Sequence, residues 1–270
     1  HYEMLKNLEI SRRDHFKLKQ YCENLGLDFI STPYDIDSAT FLDDLGVVAF
    51  KTASADLVDL PLQNWIAKTG KTSIVSVGMA TLGEVEKVIN LFRKANNQNL
   101  ILLHCVSNYP ASPESLNLRI MNTLKASFGT MLGYSDHSIG SEAAILSLAY
   151  GANLIEKHFT LDKNLPGPDH KASSTPEEFK KLSESVRKAE KMMGSPIKVC
   201  QEEEKEMAKT SRKSIALAMP IYKNEEFTMD HLTLKRPGNG LQSEYLDLFI
   251  GRKASRDLKE NHLLRLEDVK

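Results

Sequence analysis

Along this chain the spacing of apolar residues switches between two periods. Over 11–25 it is helical and stops at Gly26, and the run Asp28-Phe29-Ile30-Ser31-Thr32-Pro33 that follows reads as a short strand closed by a turn. Further strand-like runs stand at Val47–Lys51, Ser73–Val77, Leu100–Val106, Met131–Ser135 and Asn153–His158. They recur about every 20 to 30 residues, with helical features between them. A helix is expected over 60–69. Another opens on a capping box, Thr81 with Glu84, and carries Val85, Val88, Ile89 and Phe92 at i, i+3, i+4 and i+7. The clearest spans 176–193. Thr175 caps it, Pro176 takes the first helical position, and Glu178 stands three residues after the cap. Phe179, Leu182, Val186, Ala189 and Met193 share one face, and Gly194 ends the helix.

Alternation of strands and helices implies a parallel sheet, and continuous apolar runs such as Leu100-Ile101-Leu102-Leu103 require burial on both faces. A doubly wound sheet would carry a glycine-rich phosphate loop after its first strand, and neither GxGxxG nor GxxxxGK occurs. A (β/α)8 TIM-type barrel instead sets functional groups at the C-terminal ends of many strands. The strand ends here read Ser31-Thr32, Lys51, Ser76, Ser107-Asn108-Tyr109, Ser135-Asp136-His137 and Glu156-Lys157-His158, which favours the barrel. Six of the eight strands are legible, and the chain opens at His1 in what reads as a loop before a helix. Two N-terminal βα units are therefore expected to lie outside it. On its own such a chain is expected to form an open barrel with an exposed apolar edge and weak or no turnover. Beyond about Cys200 a charged run, Gln201–Lys209, gives way to short β-like pieces broken by Pro220, Asn224, Pro237, Gly238 and Gly240. The reading is a partial barrel over 1–200, a solvated helix or linker over 201–210, and a small β-rich domain over 211–270.

Composition narrows the partners. With 35 Lys and Arg against 36 Asp and Glu there is no electrostatic footprint for nucleic acid or anionic lipid, so a small molecule fits better. No apolar run approaches the roughly 20 residues of a membrane span. Cys22, Cys105 and Cys200 are odd in number and far apart, which argues against a disulfide framework and a cysteine zinc site, and for the reducing cytoplasm.

Thr32, Ser54, Ser76 and Ser135 with the cation of Lys51 would line one barrel mouth with several neutral donors and a fixed charge, which suits a phosphate or carboxylate. An ion pair at the rim is the competing role for Lys51. His137 and His158 end consecutive strands and would suit two imidazole ligands of a divalent metal, or else a hydrogen-bonded core pair. Glu156, two residues before His158, would face the same side as general base or water-orienting group, unless an ion pair with a nearby lysine takes it. His104, inside an apolar strand, reads as structural.

Taken together these segments resemble the sialic acid synthase family over essentially the whole chain. The carrying motifs are Phe29-Ile30-Ser31-Thr32-Pro33, Phe50-Lys51-Thr52-Ala53-Ser54-Ala55-Asp56, Ser76-Val77-Gly78-Met79, His104-Cys105-Val106-Ser107-Asn108-Tyr109-Pro110, Gly133-Tyr134-Ser135-Asp136-His137, Glu156-Lys157-His158-Phe159-Thr160 and Pro166-Gly167-Pro168-Asp169-His170. Lys235-Arg236-Pro237-Gly238-Asn239-Gly240 looks like the signature of that family's antifreeze-like (SAF) domain. The resemblance implies condensation of phosphoenolpyruvate with N-acetylmannosamine or a related acylated hexosamine. Thr32, Lys51, Ser54, Ser76 and Ser135 would hold phosphoenolpyruvate. His137 and His158 would bind a divalent ion, Mn2+ first and Mg2+ or Co2+ as alternatives. Tyr109 and Asp169 would contact the sugar, and Arg236 would reach its acyl group from the second subunit of a domain-swapped homodimer. Ser107 departs from members that carry Asn there, so sugar contacts are expected to differ. The family's acidic residue and lysine at the ends of its first two strands have no counterpart here. Legionaminic or pseudaminic acid synthesis is the alternative product assignment. A metal-dependent aldolase would leave the C-terminal domain unexplained, and a truncated, non-catalytic carbohydrate-binding relative is the third reading.

Overall fold

The computed structural model describes residues 2, 6 and 8–270, and the chain divides into two compact units, His1–Gly194 and Ser195–Lys270. The first unit runs α1 (Arg12–Asn24), α2 (Ile36–Leu45), β1 (Ala49–Thr52), α3 (Leu60–Lys68), β2 (Thr72–Ser76), α4 (Leu82–Lys94), β3 (Leu100–His104), α5 (Ile120–Phe128), β4 (Met131–Asp136), α6 (Glu142–Ala149), β5 (Ala152–Lys157) and α7 (Pro176–Met193). The five strands are all parallel and adjacent in sequence order, as repeated right-handed βα units of a barrel require.

Period-two alternation gives each strand two buried faces. Outward residues Phe50, Val75, Leu102, Leu132 and Tyr134 pack against Leu62 and Ile66 of α3, Val88 and Phe92 of α4 and Met121 of α5. Each large aliphatic or aromatic side chain so buried contributes roughly 1.5–3 kcal/mol. Inward residues Ala49, Ile74 and Leu103 form a smaller second cluster with Ile101 and Leu154. The helix α4 has the expected stripe, with Val85, Val88, Ile89 and Phe92 all buried, and its Thr81–Glu84 box is closed in both directions.

Two expectations are corrected. The run 28–33 is not a strand: among the described residues its backbone joins no ladder, although Phe29 packs on the core, so five strands pair rather than six. Alternation and β propensity make a segment extended, but a strand also needs a neighbour at hydrogen-bonding distance. On α7 the capping box forms and Pro176 opens the helix, yet of its apolar stripe only Leu182 is buried. The helix packs on α6, beside the edge of the described sheet, and Phe179 meets Phe159 edge-on at 5.8 Å instead of entering the core.

The β4–β5 ladder is irregular. Leu132 pairs with Ala152 but Tyr134 pairs with Ile155, so β5 holds one extra residue, a β-bulge. Gly133 sits opposite it. A Cβ there would stand 2.6 Å from the carbonyl oxygen of Leu154 and 2.4 Å from Cδ2 of Leu103.

In the second unit α8 (Lys205–Ser211) follows a 3-10 turn (Glu202–Glu204), so the 201–210 stretch is largely solvated helix belonging to this unit. The strands β6 (Ser214–Leu217) and β7 (Leu232–Lys235) are antiparallel and cover a core of Ile215, Leu217, Ile221, Phe227, Phe249, Leu258 and Leu264. The Pro237–Gly240 turn wraps onto α8 and β6: Gly238 N donates to Lys209 O at 2.7 Å, and the Ser214 hydroxyl donates to Pro237 O at 2.6 Å. A Cβ at Gly238 would meet Cβ of Arg212 at 2.5 Å, which explains glycine there. Asp268 is fully buried and accepts from Arg256 Nη2 at 2.7 Å and from Arg265 N at 2.9 Å, with His262 Nε2 2.8 Å away.

Because the Leu154 carbonyl is backbone and cannot swing aside, Gly133→Ala is expected to destabilise the first unit by about 1–3 kcal/mol. A lowered midpoint in urea denaturation checks this, and an unchanged midpoint would show that the bulge relaxes freely.

Candidate functional site

Inward positions at the C-terminal ends of the strands converge on one side of the sheet. Ser135 and Glu156 are partners in the β4–β5 register, and the Ser135 hydroxyl donates to Glu156 Oε1 at 2.6 Å. The other carboxylate oxygen, Oε2, lies 3.5 Å from Lys51 Nζ, whose side chain is 11 % exposed. Lys51 also donates to the carbonyl of Thr52 at 3.1 Å. The competing role read for Lys51 and Glu156 is thus present, as one loose ion pair inside the cluster.

His137 is buried, and its Nδ1 lies 2.7 Å from Val106 O, so that nitrogen carries the proton and donates. Burial holds the imidazole below its ordinary pKa, with repulsion from His158 acting the same way and the Val106 bond partly opposing them. The neutral ring therefore presents its Nε2 lone pair, which stands 3.1 Å from the Ser135 hydroxyl. His158 faces His137 with ring centroids 5.3 Å apart and planes at 84°, and its Nδ1 is 3.6 Å from Asp169 Oδ2. The Tyr109 ring packs on both imidazoles, 4.2 Å from His137 and 5.1 Å from His158. Lys51, Tyr109, Ser135, His137, Glu156, His158 and Asp169 thus form one cluster.

A second group adjoins it. The Gly78 amide donates to the Ser54 hydroxyl at 3.1 Å, and that hydroxyl lies 3.2 Å from Cys105 Sγ. A Cβ on Gly78 would fall 2.5 Å from Ser107 Oγ, 2.8 Å from Ser54 Oγ and 2.9 Å from Cys105 Sγ, so the missing side chain is what lets three strand ends meet. Burial raises the Cys105 thiol, with smaller opposing effects from Ser54, the Gly78 amide and Lys51. Among the described residues the buried Ser76 hydroxyl has no hydrogen-bond partner, as is also true of Thr52 Oγ1 on the opposite face.

Thr32 is not in the cluster as described. Thr32 is half-buried in the unpaired run, and among the described residues no hydrogen bond joins it to these groups; Tyr34, two residues on, acts on Tyr109. Arg236 belongs to the second unit, exposed, with Nε donating to Ser211 O at 2.8 Å. His104 bonds Leu116 O through Nε2 at 2.7 Å, as a structural histidine does.

Among the described residues no three His, Cys, Asp or Glu side chains gather as a metal group. Two imidazoles fit a divalent ion: the Val106 bond fixes the His137 tautomer so that its Nε2 carries the lone pair, burial keeps that ring neutral, and His158 faces it.

Sequence reasoning gave no role to two neighbours of these residues. Asp136 and Lys157 point to the opposite face and form an ion pair at 2.9 Å, with side chains 0 % and 1 % exposed. Asp136 Oδ1 also accepts from Ser138 N at 2.9 Å and from its hydroxyl at 2.7 Å, and Lys157 donates to Ser138 O. Both residues are plain in the motifs, but their meeting depends on register.

A parallel α/β unit with polar groups at its strand ends, followed in the chain by a small β-rich unit, defines the class. The chain belongs to the NeuB family, which residues 1–198 match, and residues 212–270 match the SAF domain. The N,N'-diacetyllegionaminic acid synthase of Campylobacter jejuni is 41% identical over 265 residues, covering 97% of this chain and 79% of that protein. The human N-acetylneuraminate-9-phosphate synthase is 32% identical, covering 99% and 75%. The crystal structure of the N-acetylneuraminic acid synthetase of Leptospira borgpetersenii superposes with a TM-score of 0.72 at 35% identity, covering 75% of this chain and 70% of that one. No described helix is long and apolar enough to cross a membrane.

Burial, and then the nearby Cys105, Asp169 and Glu156, push the Tyr109 phenol up to about 12. The ultraviolet titration difference between wild type and Tyr109→Phe is therefore expected to stay flat through the ordinary value of 10.0 and rise only near 12. A rise at the ordinary value would show that the phenol is not packed on the two imidazoles.

Proposed function

We propose that this chain carries the condensing site of a nonulosonic acid synthase, joining phosphoenolpyruvate to an N-acylated hexosamine. The observation that carries the reading is a single carboxylate, Glu156, held between Lys51 and Ser135 beside two facing imidazoles on adjacent strand ends. Lys51, Ser54, the unpartnered Ser76 and Ser135 hold the phosphate and carboxylate of phosphoenolpyruvate, and Thr32 closes on the same substrate. Tyr109, Asp169 and Ser107 face the sugar. Bound by His137 and His158, a divalent ion, Mn2+ in this reading, would supply Lewis-acid polarisation of the open-chain aldehyde. C3 of phosphoenolpyruvate bonds to that aldehyde carbon as its C=O opens to an alkoxide; water adds at C2, one proton passing to Glu156 Oε2 and on to the alkoxide, and the bond from C2 to the phosphate oxygen breaks as the second proton leaves with phosphate and C2 becomes a ketone. The products are the sugar acid and inorganic phosphate.

Homology favours the acceptor. Identity is 41% to a diacetyllegionaminic acid synthase against 35% to the Leptospira N-acetylneuraminic acid synthetase, which supports a 2,4-diacetamido hexose ahead of N-acetylmannosamine. A domain-swapped homodimer, with Arg236 of one subunit over the sugar bound by the other, completes the reading. The free Cys22, Cys105 and Cys200 are in keeping with a cytoplasmic enzyme.

Phosphate release by the full-length protein with phosphoenolpyruvate, Mn2+ and each sugar tests this. Faster release with the diacetamido sugar is expected, and none with either would refute the synthase assignment. Glu156→Gln should lower kcat about 10²–10⁴-fold while the melting temperature holds. An unaltered kcat would remove Glu156 from proton transfer. Arg236→Ala is expected to raise KM for the sugar far more than for phosphoenolpyruvate, and an equal rise in both would refute its placement over the sugar.

A further inference from the structure

Four of the residues in the cluster, Ser135, His137, Glu156 and His158, lie on two strands whose register contains an extra residue. Without the bulge, the pairing of Leu132 with Ala152 would carry on to set Ile155 opposite Ser135 and Glu156 opposite Asp136. Because paired residues in a ladder point to the same face, Glu156 would turn outward, away from the site, and two carboxylates would confront each other in the core. In the observed register the residue opposite Asp136 is Lys157. The two charges meet at 2.9 Å with almost no solvent exposure, and both reach the turn at Ser138, so they bracket His137 in the chain on one strand and separate Glu156 from His158 on the other.

Removing two charges from water costs more than a pair of this kind generally returns, and well-packed apolar replacements are often as stable. The best-attested benefit of such buried polar groups is that they specify one register. We propose that Asp136 and Lys157 are positioning residues, a register lock that holds the β5 bulge in place and so keeps Glu156 and His158 on the site face. The lock fits only one pairing: the slipped ladder leaves Asp136 against Glu156 and Lys157 against His137.

The inference rests on the proposed synthase for its kinetic readout but not for its structural one. The test compares full-length wild type with Asp136→Leu, Lys157→Met, the double variant and Asp136→Asn. It measures melting temperature, kcat and KM for phosphate release, and nitrogen-15 NMR of the His137 and His158 imidazoles and of the backbone amides without added metal. Each apolar single variant leaves an uncompensated buried charge and is expected to melt lower, and the double variant to recover most of that loss. The double variant should nevertheless keep a kcat down roughly 100-fold, the effect of a misplacement on the order of 1 Å, with shifted imidazole signals. A double variant with the melting temperature, kcat and imidazole signals of wild type would overturn the proposal, since a merely stabilising pair behaves that way. Should the double variant not fold, Asp136→Asn decides: it keeps an acceptor for Ser138 and loses the charge facing Lys157. Loss of the Tyr134–Ile155 pairing in its backbone amide spectra supports the lock, and wild-type pairing overturns it, because the Asp136 charge acts on His137 in any register. If wild type itself releases no phosphate, the synthase reading fails and the amide spectra alone judge the lock.

Discussion

One extra residue in β5 decides which face of the sheet carries the chemistry. The bulge between the Leu132–Ala152 and Tyr134–Ile155 pairs brings Glu156 level with Ser135, and from that alignment follow the hydrogen bond at 2.6 Å and the contact with Lys51. A slip of one residue would send every later side chain of the strand to the other side. Gly133 is the local condition for it, because the Leu154 carbonyl presses where a Cβ would stand. The site is therefore a consequence of backbone geometry at least two residues below it.

The same economy of space appears at the end of β2. Ser54 follows β1 while Cys105 and Ser107 both follow β3, and they converge because Gly78 contributes an amide donor and no side chain. A rigid sheet packed on both faces by Phe50, Leu102 and Phe92 outside and Ile74 and Leu103 inside leaves these groups little freedom to rearrange. That rigidity is what lets an unpaired hydroxyl such as Ser76 persist in a buried place.

Features that depend on a few consecutive residues were legible in the sequence. The Thr81–Glu84 box and the Val85–Phe92 stripe need only helical periodicity, and Pro237, Gly238 and Gly240 break the chain where the structure turns. Inward-facing strand ends were legible too, because alternation places Ser135 with His137 and Glu156 with His158 whatever lies beside them. Pairing was not. The run through Phe29 has strand composition but joins no ladder among the described residues, and the α7 stripe has helical spacing but buries only Leu182. Asp136 and Lys157 stood in plain view between the candidate ligands, but their partnership is created by the bulge, which no local pattern signals.

Charge explains why the cluster has this composition. Lys51 is the cation within it, and it already faces Glu156, while Asp169 adds a second carboxylate beside His158. Such a set is close to neutral or negative, a poor trap for a phosphate ester that is itself an anion, if the side chains act alone. Hydroxyls and the Gly78 amide donate without adding charge, which helps but does not reverse the balance. Burial meanwhile keeps His137 uncharged, so the imidazole adds no cation of its own. A neutral ring with its Nδ1 tied to Val106 offers a lone pair instead, and His158 stands 5.3 Å away with its plane turned across it. In the proposed reaction an ion held by His137 and His158 would add positive charge at the aldehyde, while the 3.5 Å Lys51–Glu156 contact is loose enough for the lysine to turn to phosphoenolpyruvate.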